Sequence, residues 1–376
     1  MEPVTHLLAG ACLGRSGLNR RTALATFAAI LAAEAPDLDE VFRFGGPVTE
    51  LAHHRGITHT LVAAPFMALS ITGLVWGLQK AWRALPFVRT RLPLISPQPV
   101  NWLWIYLTAL LSDLMHLLLD WTNNYGIRPF FPFNARWYSG DLVFIAEPIL
   151  WIVFLAALIV PALLGLADSE IGSRHTRFRG RVWAIFALTA MVLLWCWRWA
   201  EHAHARNLVD NSSLTQRPVR RVALEPYPFN PFRWHAILET DSSWVTAEVD
   251  THRDLVVSDP QLNTLSKPAY TPSVIVARKS RLGQVYLDWS QWPVVRDIGP
   301  VPAPGDPGLA LAPRQTWTTV EFHDLRFAYP ILDSSMVPTP AHSLAHQVAL
   351  SPLSGQVYVI NGNGDAGEFL NGREQK

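Results

Sequence analysis

The chain has 376 residues, 49% of them hydrophobic and 16% charged, with a formal net charge of +1. Charges this closely balanced give no basic surface for nucleic acid, and so small a charged fraction is low for a soluble protein of this length. The two cysteines, Cys12 and Cys196, lie far apart in apolar stretches and offer no disulfide framework.

The averages hide a division. Residues 1 to about 200 are apolar and Trp-rich, and the remainder is polar and Pro-rich. In chain order, Val4–Leu13 and Thr22–Ala35 are short apolar runs on either side of Arg15–Arg21. They read as a helical hairpin, partly inserted in a membrane, or alternatively as core helices packed on their neighbours. Ile57–Leu78, Trp102–Trp121, Leu142–Leu166 and Val182–Ala200 follow. Each approaches or exceeds the roughly 20 apolar residues that cross about 30 Å of hydrocarbon. The predicted fold is a membrane α-helical bundle, with four to five transmembrane helices and a short N-terminal helix, over residues 1–200. A mostly β soluble domain then spans 201–376.

Basic residues cluster in alternate loops. Arg15, Arg20 and Arg21 form one cluster, Lys80, Arg83, Arg89 and Arg91 a second, and Arg174, Arg177, Arg179 and Arg181 a third. Positive charge marks the cytoplasmic side. Pro36–Gly56, Thr122–Asp141 and everything after Ala200 then face outward, which in a bacterium is the periplasm. In that outer part, Trp244–Val249, Leu255–Val257, Ser273–Arg278, Gln284–Trp289, Trp317–Phe322 and Gln356–Ile360 alternate or are β-branched and read as strands, with little helix. Val301–Pro313 reads as a loop, and Asn361–Asp365 as a turn. His235, His252, His323, His342 and His346 read as surface histidines.

Ionisable residues concentrate at one end of the apolar segments. Glu34, Asp37 and Asp39 follow the second run. His53, His54, Arg55 and His59 open the third, and Asp113, His116 and Asp120 lie near the end of the fourth. His6 is on the first helix, and Asp141 and Glu147 flank the start of the fifth run. Charges within a span cost at least about 2.5 kcal/mol each near its centre, so their clustering points to a shared site. Asp113, His116 and Asp120 are spaced i, i+3, i+7 and share one helix face, and His116 with Asp120 can chelate one cation. Asp37 and Asp39 alternate, which makes one a direct ligand and the other a support or a ligand to a second ion. Mixed imidazoles and carboxylates suit Zn²⁺ first, with Mn²⁺ or Fe as alternatives.

His-Arg-Gly-Ile-Thr-His at 54–59, Asp-Leu-Met-His-Leu-Leu-Leu-Asp at 113–120 and Asn-Tyr-Gly-Ile-Arg-Pro-Phe-Phe-Pro-Phe at 124–133 resemble the YdjM-type bacterial inner-membrane proteins, described as metal-dependent hydrolases. The resemblance covers about residues 1–165. Asn-Pro-Phe-Arg-Trp-His at 230–235 and Val-Tyr-Leu-Asp-Trp-Ser at 285–290 are similar to extended members. Matched by motif, the family pattern falls on His6, Asp37, Asp39, His54, Arg55, His59, His116 and Asp120. The resemblance implies a divalent metal held by residues from His6, Asp37, His54, His59, His116 and Asp120. The chemistry of the residues themselves, with Asp113 outside the family pattern, offers Asp39 or Asp113 as proton acceptor and Arg55 as a counter-charge to the reacting group.

Such a site opens at the outer headgroup level, so the expected reaction is hydrolysis of an ester or phosphoester in a membrane lipid or lipid-linked precursor. Two other classes compete. A transporter would use the Asp/His set to relay protons or ions, but no second half with inverted symmetry is apparent. A non-catalytic anchor would display the β domain and keep the metal as a closed structural site.

Overall fold

Small residues bring the first two helices together. In the computed structural model, which describes residues 1–84, 99–170, 180–301, 316–329, 353–362, 367–371 and 373–374, α1 (Pro3–Arg15) packs on α2 (Ala25–Glu34). A Cβ added at Gly10 would lie 2.7 Å from the Ala33 Cβ and 2.8 Å from the Ala29 carbonyl oxygen. One added at Gly14 would collide with the Thr26 Cα. The buried residues of α2 are all alanines: Ala25, Ala28, Ala29, Ala32 and Ala33. Glu2 caps α1 by accepting from the Thr5 N–H at 3.1 Å, ahead of Pro3 at the first helical position.

The remaining helices of the first 210 residues are α3 (Pro47–His53), α4 (Ala64–Ala84), α5 (Trp102–Thr122), α6 (Pro148–Glu170) and α7 (Arg181–Asp210). The chain divides into two compact units. One is Met1–Asp39 with Arg55–Trp199, and the other is Glu40–His54 with Ala200–Lys376.

In the first unit, α5, α6 and α7 are long and apolar enough to cross a membrane; 21 residues of helix extend about 31 Å. A fourth span arises if Pro47–His59 and Ala64–Ala84 are counted together, but they meet at an 86° bend. The uninterrupted helix expected over Ile57–Leu78 is therefore broken. The Thr60 hydroxyl accepts from the Ala63 N–H at 3.0 Å and donates to the Ile57 carbonyl at 2.8 Å, ending one turn and starting the next. The run expected from Leu142 becomes helical only at Pro148, because the Leu142 and Val143 N–H groups bond to the Thr122 carbonyl. At ten residues, α2 is about 15 Å long and too short to span.

One core joins α2, α4 and α5 through Ala28, Ala32, Ala68, Ile71, Ile105 and Ala109. Another joins α1, α5, α6 and α7 through Leu8, Cys12, Leu119, Phe154, Ala187 and Met191. Ile152, Leu163, Val182, Phe186 and Leu193 point outward and are more than half exposed, as side chains facing lipid would be.

The second unit carries two antiparallel sheets. The first runs β1 (Arg221–Pro226), β2 (Arg233–Glu239), β3 (Ser243–Asp250) and β4 (Leu255–Val257), with β5 (Thr264–Ser266) also on β3. The second contains β6 (Pro293–Asp297), β7 (Trp317–Asp324), β8 (Ser354–Ile360), β9 (Glu368–Leu370) and β10 (Arg373–Glu374), in the order β10-β9-β8-β7-β6. Ile237 and Trp244 of the first sheet meet Trp292, Val294 and Leu325 in a shared core.

Two segments expected to be strands are helices instead. Ser273–Arg278 lies in α8 (Pro272–Lys279), and Gln284–Trp289 in α9 (Arg281–Trp289). The β-branched run at 273–276 suggests a strand. However, the Thr271 hydroxyl caps the Val274 N–H, Pro272 occupies the first helical position, and the Ser280 hydroxyl caps the Gly283 N–H. Leu282, Tyr286 and Trp289 then form one buried face. The expectation of surface histidines is likewise corrected for two of them: His235 and His323 are buried, His235 with its Nδ1 on Glu248 at 2.9 Å. His342, His346, residues 302–313 of the expected loop and residues 363–365 of the expected turn lie outside the described residues.

Candidate metal centre

Three stretches of the first unit converge on one point. The 3-10 segment Pro36–Gly45 that follows α2 supplies Asp37, the short turn Ile57–His59 supplies His59, and α5 supplies His116 and Asp120. One donor atom from each lies within 4.8 Å of all the others. His59 Nε2 is 3.1 Å from His116 Nε2, 3.3 Å from Asp37 Oδ1 and 3.4 Å from Asp120 Oδ2. His116 Nε2 is 3.6 Å from Asp37 Oδ1 and 3.5 Å from Asp120 Oδ2. Donors placed about 2.0–2.2 Å from one ion in a tetrahedron are separated by about 3.3–3.6 Å. The observed spacings are close to the edges of such a tetrahedron, so these residues fit a divalent ion.

The chemistry of the donors fits as well. His116 Nδ1 lies 2.6 Å from the Ala33 carbonyl and must donate to it, which leaves Nε2 with a free lone pair. His59 Nδ1 lies 3.1 Å from Asp39 Oδ2, which frees its Nε2 in the same way. Two imidazole nitrogens 3.1 Å apart, both with lone pairs, repel unless a cation lies between them. Asp120 Oδ2 is buried and meets no hydrogen-bond donor. Burial works against the charge on Asp37, but its hydrogen bond with His59 and the field of His116 bring its carboxyl down to about 2.

Neighbouring residues hold the four in place. Asp39 accepts from the Arg55 N–H at 2.8 Å and the Thr58 hydroxyl at 3.1 Å while it holds His59. Arg55 is 3% exposed, has φ of 52°, and donates from Nη2 to Asp120 Oδ1 at 2.9 Å. Its Nη1 donates to Asn123 Oδ1 at 3.2 Å and the Gly126 carbonyl at 3.0 Å, and the guanidinium lies 4.7 Å from the Tyr125 ring centre. His6 stacks on His116 with ring centres 3.8 Å apart, and its Nε2 is 3.3 Å from Asp120 Oδ1. Asp113 is fully buried one turn before His116, and neither of its oxygens has a hydrogen-bond partner among the described residues. His54 closes α3 in the second unit and is not among the four converging residues.

The contributions of Ala33 and Asn123 have no signal in the sequence, and Thr58 and Tyr125 are marked only by lying inside the motifs at 54–59 and 124–133. A backbone carbonyl, a hydroxyl, an amide and a phenol ring carry no ligand spacing.

The profile of the family described as YdjM inner membrane protein matches residues 1–205, more than half the chain and all four converging residues. The chain belongs to this family. It is also similar to the uncharacterized protein YfhP of Bacillus subtilis (strain 168), with 27% identity over 168 residues, which is 43% of this chain and 46% of that protein. The chain thus spans about half the length of this relative. No solved structure matches.

Family membership covers the whole first unit, so the outer support of the ligands can be tested there. Asp39→Asn keeps the size of the side chain but removes the charge that holds His59 Nδ1. Loss of such support typically costs 10–100-fold in metal affinity. Competition with a calibrated chelator should show a loss in that range, and unchanged affinity would remove Asp39 from this role.

Proposed function

We propose that this protein is a metal-dependent hydrolase that cleaves an ester or phosphoester in a membrane lipid or lipid-linked substrate, at the outer face of the inner membrane. The observation that carries the proposal is the convergence of Asp37, His59, His116 and Asp120, with the second nitrogen of each imidazole already engaged. Sidedness follows from the basic clusters, among them Lys80 and Arg83 at the C-terminal end of α4. On that rule the second unit is periplasmic.

When bound, a divalent ion supplies Lewis-acid polarisation and a nucleophile at neutral pH. The chain's own residues do the rest. Ala33 and Asp39 fix the imidazole tautomers, and Arg55 fixes Asp120. The proton acceptor in this reading is Asp39, which lies against His59, or Asp113, which is one turn from His116. With its terminal nitrogens already engaged, Arg55 acts on the reacting group through Asp120. Leu38, Ile57 and Phe133 are 67%, 53% and 85% exposed. Leu38 and Ile57 are close in sequence to ligands, and the three offer apolar surface to the tail of an amphiphile.

One observation favours a second reading. Four donors complete a tetrahedron, and closed four-ligand sites are commonly structural. Metal-loaded protein screened against a panel of lipid phosphoesters and carboxylic esters separates the two. The hydrolase proposal expects turnover that falls at least about 100-fold in His116→Ala. Metal-replete protein that turns over nothing in the panel would favour the structural site.

A further inference from the structure

The second unit has a cavity of its own, of about 220 Å³, lined by β1, β2, β3, α8 and β6 and the segment after β5. Among the described residues, Arg221, Lys267 and Arg278 line it against a single carboxylate, Glu239. Glu239 is shared: Arg221 Nε lies 2.7 Å from Oε2, and Lys267 Nζ lies 2.7 Å from Oε1. Arg278 meets no carboxylate among the described residues, and its guanidinium rests 5.4 Å from the Tyr270 ring centre. Lys267 rests likewise 5.5 Å from the centre of Trp244. Three cations and one anion leave two positive charges uncompensated, in a recess that concentrates their field.

The aromatic groups narrow the class of ligand. Tyr270 is 70% exposed and lines the cavity beside Trp244. Trp244 is buried, and a bare inorganic anion would satisfy the cations and leave the exposed Tyr270 ring uncovered. A saturated ring with a C–H face would cover it, and the volume admits one ring with its substituent rather than a polymer segment. We propose that this cavity binds a sugar ring carrying a phosphate or carboxylate, with Arg278 as the principal anion contact and Tyr270 as the stacking surface. Arg221 and Lys267 add charge while Glu239 holds them in position. Because Glu239 competes with the ligand's anion for both, its neutralisation should tighten binding, an effect that a purely structural role does not produce.

The test is a calorimetric titration of the full-length, detergent-purified protein with glucose 1-phosphate, inorganic phosphate and glucose. Glucose 1-phosphate is expected to bind at least tenfold more tightly than either of the others. Arg278→Gln should weaken it at least tenfold, Tyr270→Ala should erase its advantage over inorganic phosphate, and Glu239→Gln should strengthen it. Unchanged melting temperatures in the Arg278 and Tyr270 variants establish that the fold survives. Free glucuronate and nanodiscs containing glucuronosyl diacylglycerol then separate a soluble sugar from a lipid headgroup, and tight binding of either supports the site. Equal affinity for phosphate and glucose 1-phosphate, or an Arg278→Gln protein that binds as well as the wild type, would overturn the proposal.

Discussion

Asp120→Ala is expected to be the most damaging single substitution in the first unit. It should abolish metal binding and also lower stability by about 3–5 kcal/mol, because it strands a buried charge. Asp120 divides its two oxygens: Oδ2 faces the imidazoles, while Oδ1 accepts from Arg55 and also pairs with the buried Met1 α-ammonium and lies beside His6 Nε2. Arg55 is 3% exposed, and the remaining partners of its guanidinium are the Asn123 amide, two backbone carbonyls and the Tyr125 ring face, none of which carries a full negative charge. His116→Ala removes a ligand without exposing that charge. After exhaustive chelation, which removes the ion's own contribution to stability, thermal unfolding should separate the variants. His116→Ala should melt near the wild type and Asp120→Ala well below it. Arg55→Met placed on Asp120→Ala should restore part of the loss. Equal melting temperatures for the two alanine variants would show that the Arg55–Asp120 pair contributes nothing.

Gly14→Val should be nearly as severe, through packing rather than charge. The site depends on how closely α1 and α2 approach, since α2 carries the Ala33 carbonyl that fixes His116, and α1 carries His6, which stacks on the same ring. A side chain at Gly14 collides with the backbone of Thr26, and backbone cannot swing aside. The helices must part, at about 1–3 kcal/mol for overpacking of this kind. The damage should extend to metal affinity, because the Ala33 carbonyl moves with α2. Gly77→Val in α4 is the control, since a Cβ there meets nothing within 4 Å. Melting curves and chelator competition on both proteins should show losses for Gly14→Val alone. A Gly14→Val protein that keeps wild-type stability and affinity would show that this helix contact does not support the site.

Several features of the molecule could be read directly from the sequence, for identifiable reasons. Long apolar segments are a local property, so α5, α6 and α7 were visible as spans. The shared face of Asp113, His116 and Asp120 follows from helical periodicity alone. Local composition failed where short capping residues decide the outcome. Thr60 breaks an apolar run that looks continuous, and Thr271 and Ser280 turn β-branched segments into α8 and α9. Sequence also gave no hint that Glu40–His54 belongs with the second unit, where Arg281 Nη2 donates to Thr49 Oγ1 at 2.9 Å. The pairing of each imidazole's second nitrogen depends on contacts such as Ala33 with His116, 83 residues apart. No spacing rule reaches that far.

The central claim is that Asp37, His59, His116 and Asp120 hold one divalent ion. X-ray absorption at the edge of whichever metal accompanies the purified protein tests it most directly. The expected spectrum has a first shell of nitrogen and oxygen only, at about 2.0–2.2 Å, with the multiple-scattering signature of two imidazoles, from an ion present at one per chain. Protein that holds no stoichiometric ion after metal supplementation, or a bound ion whose spectrum lacks imidazole scattering, would contradict the claim.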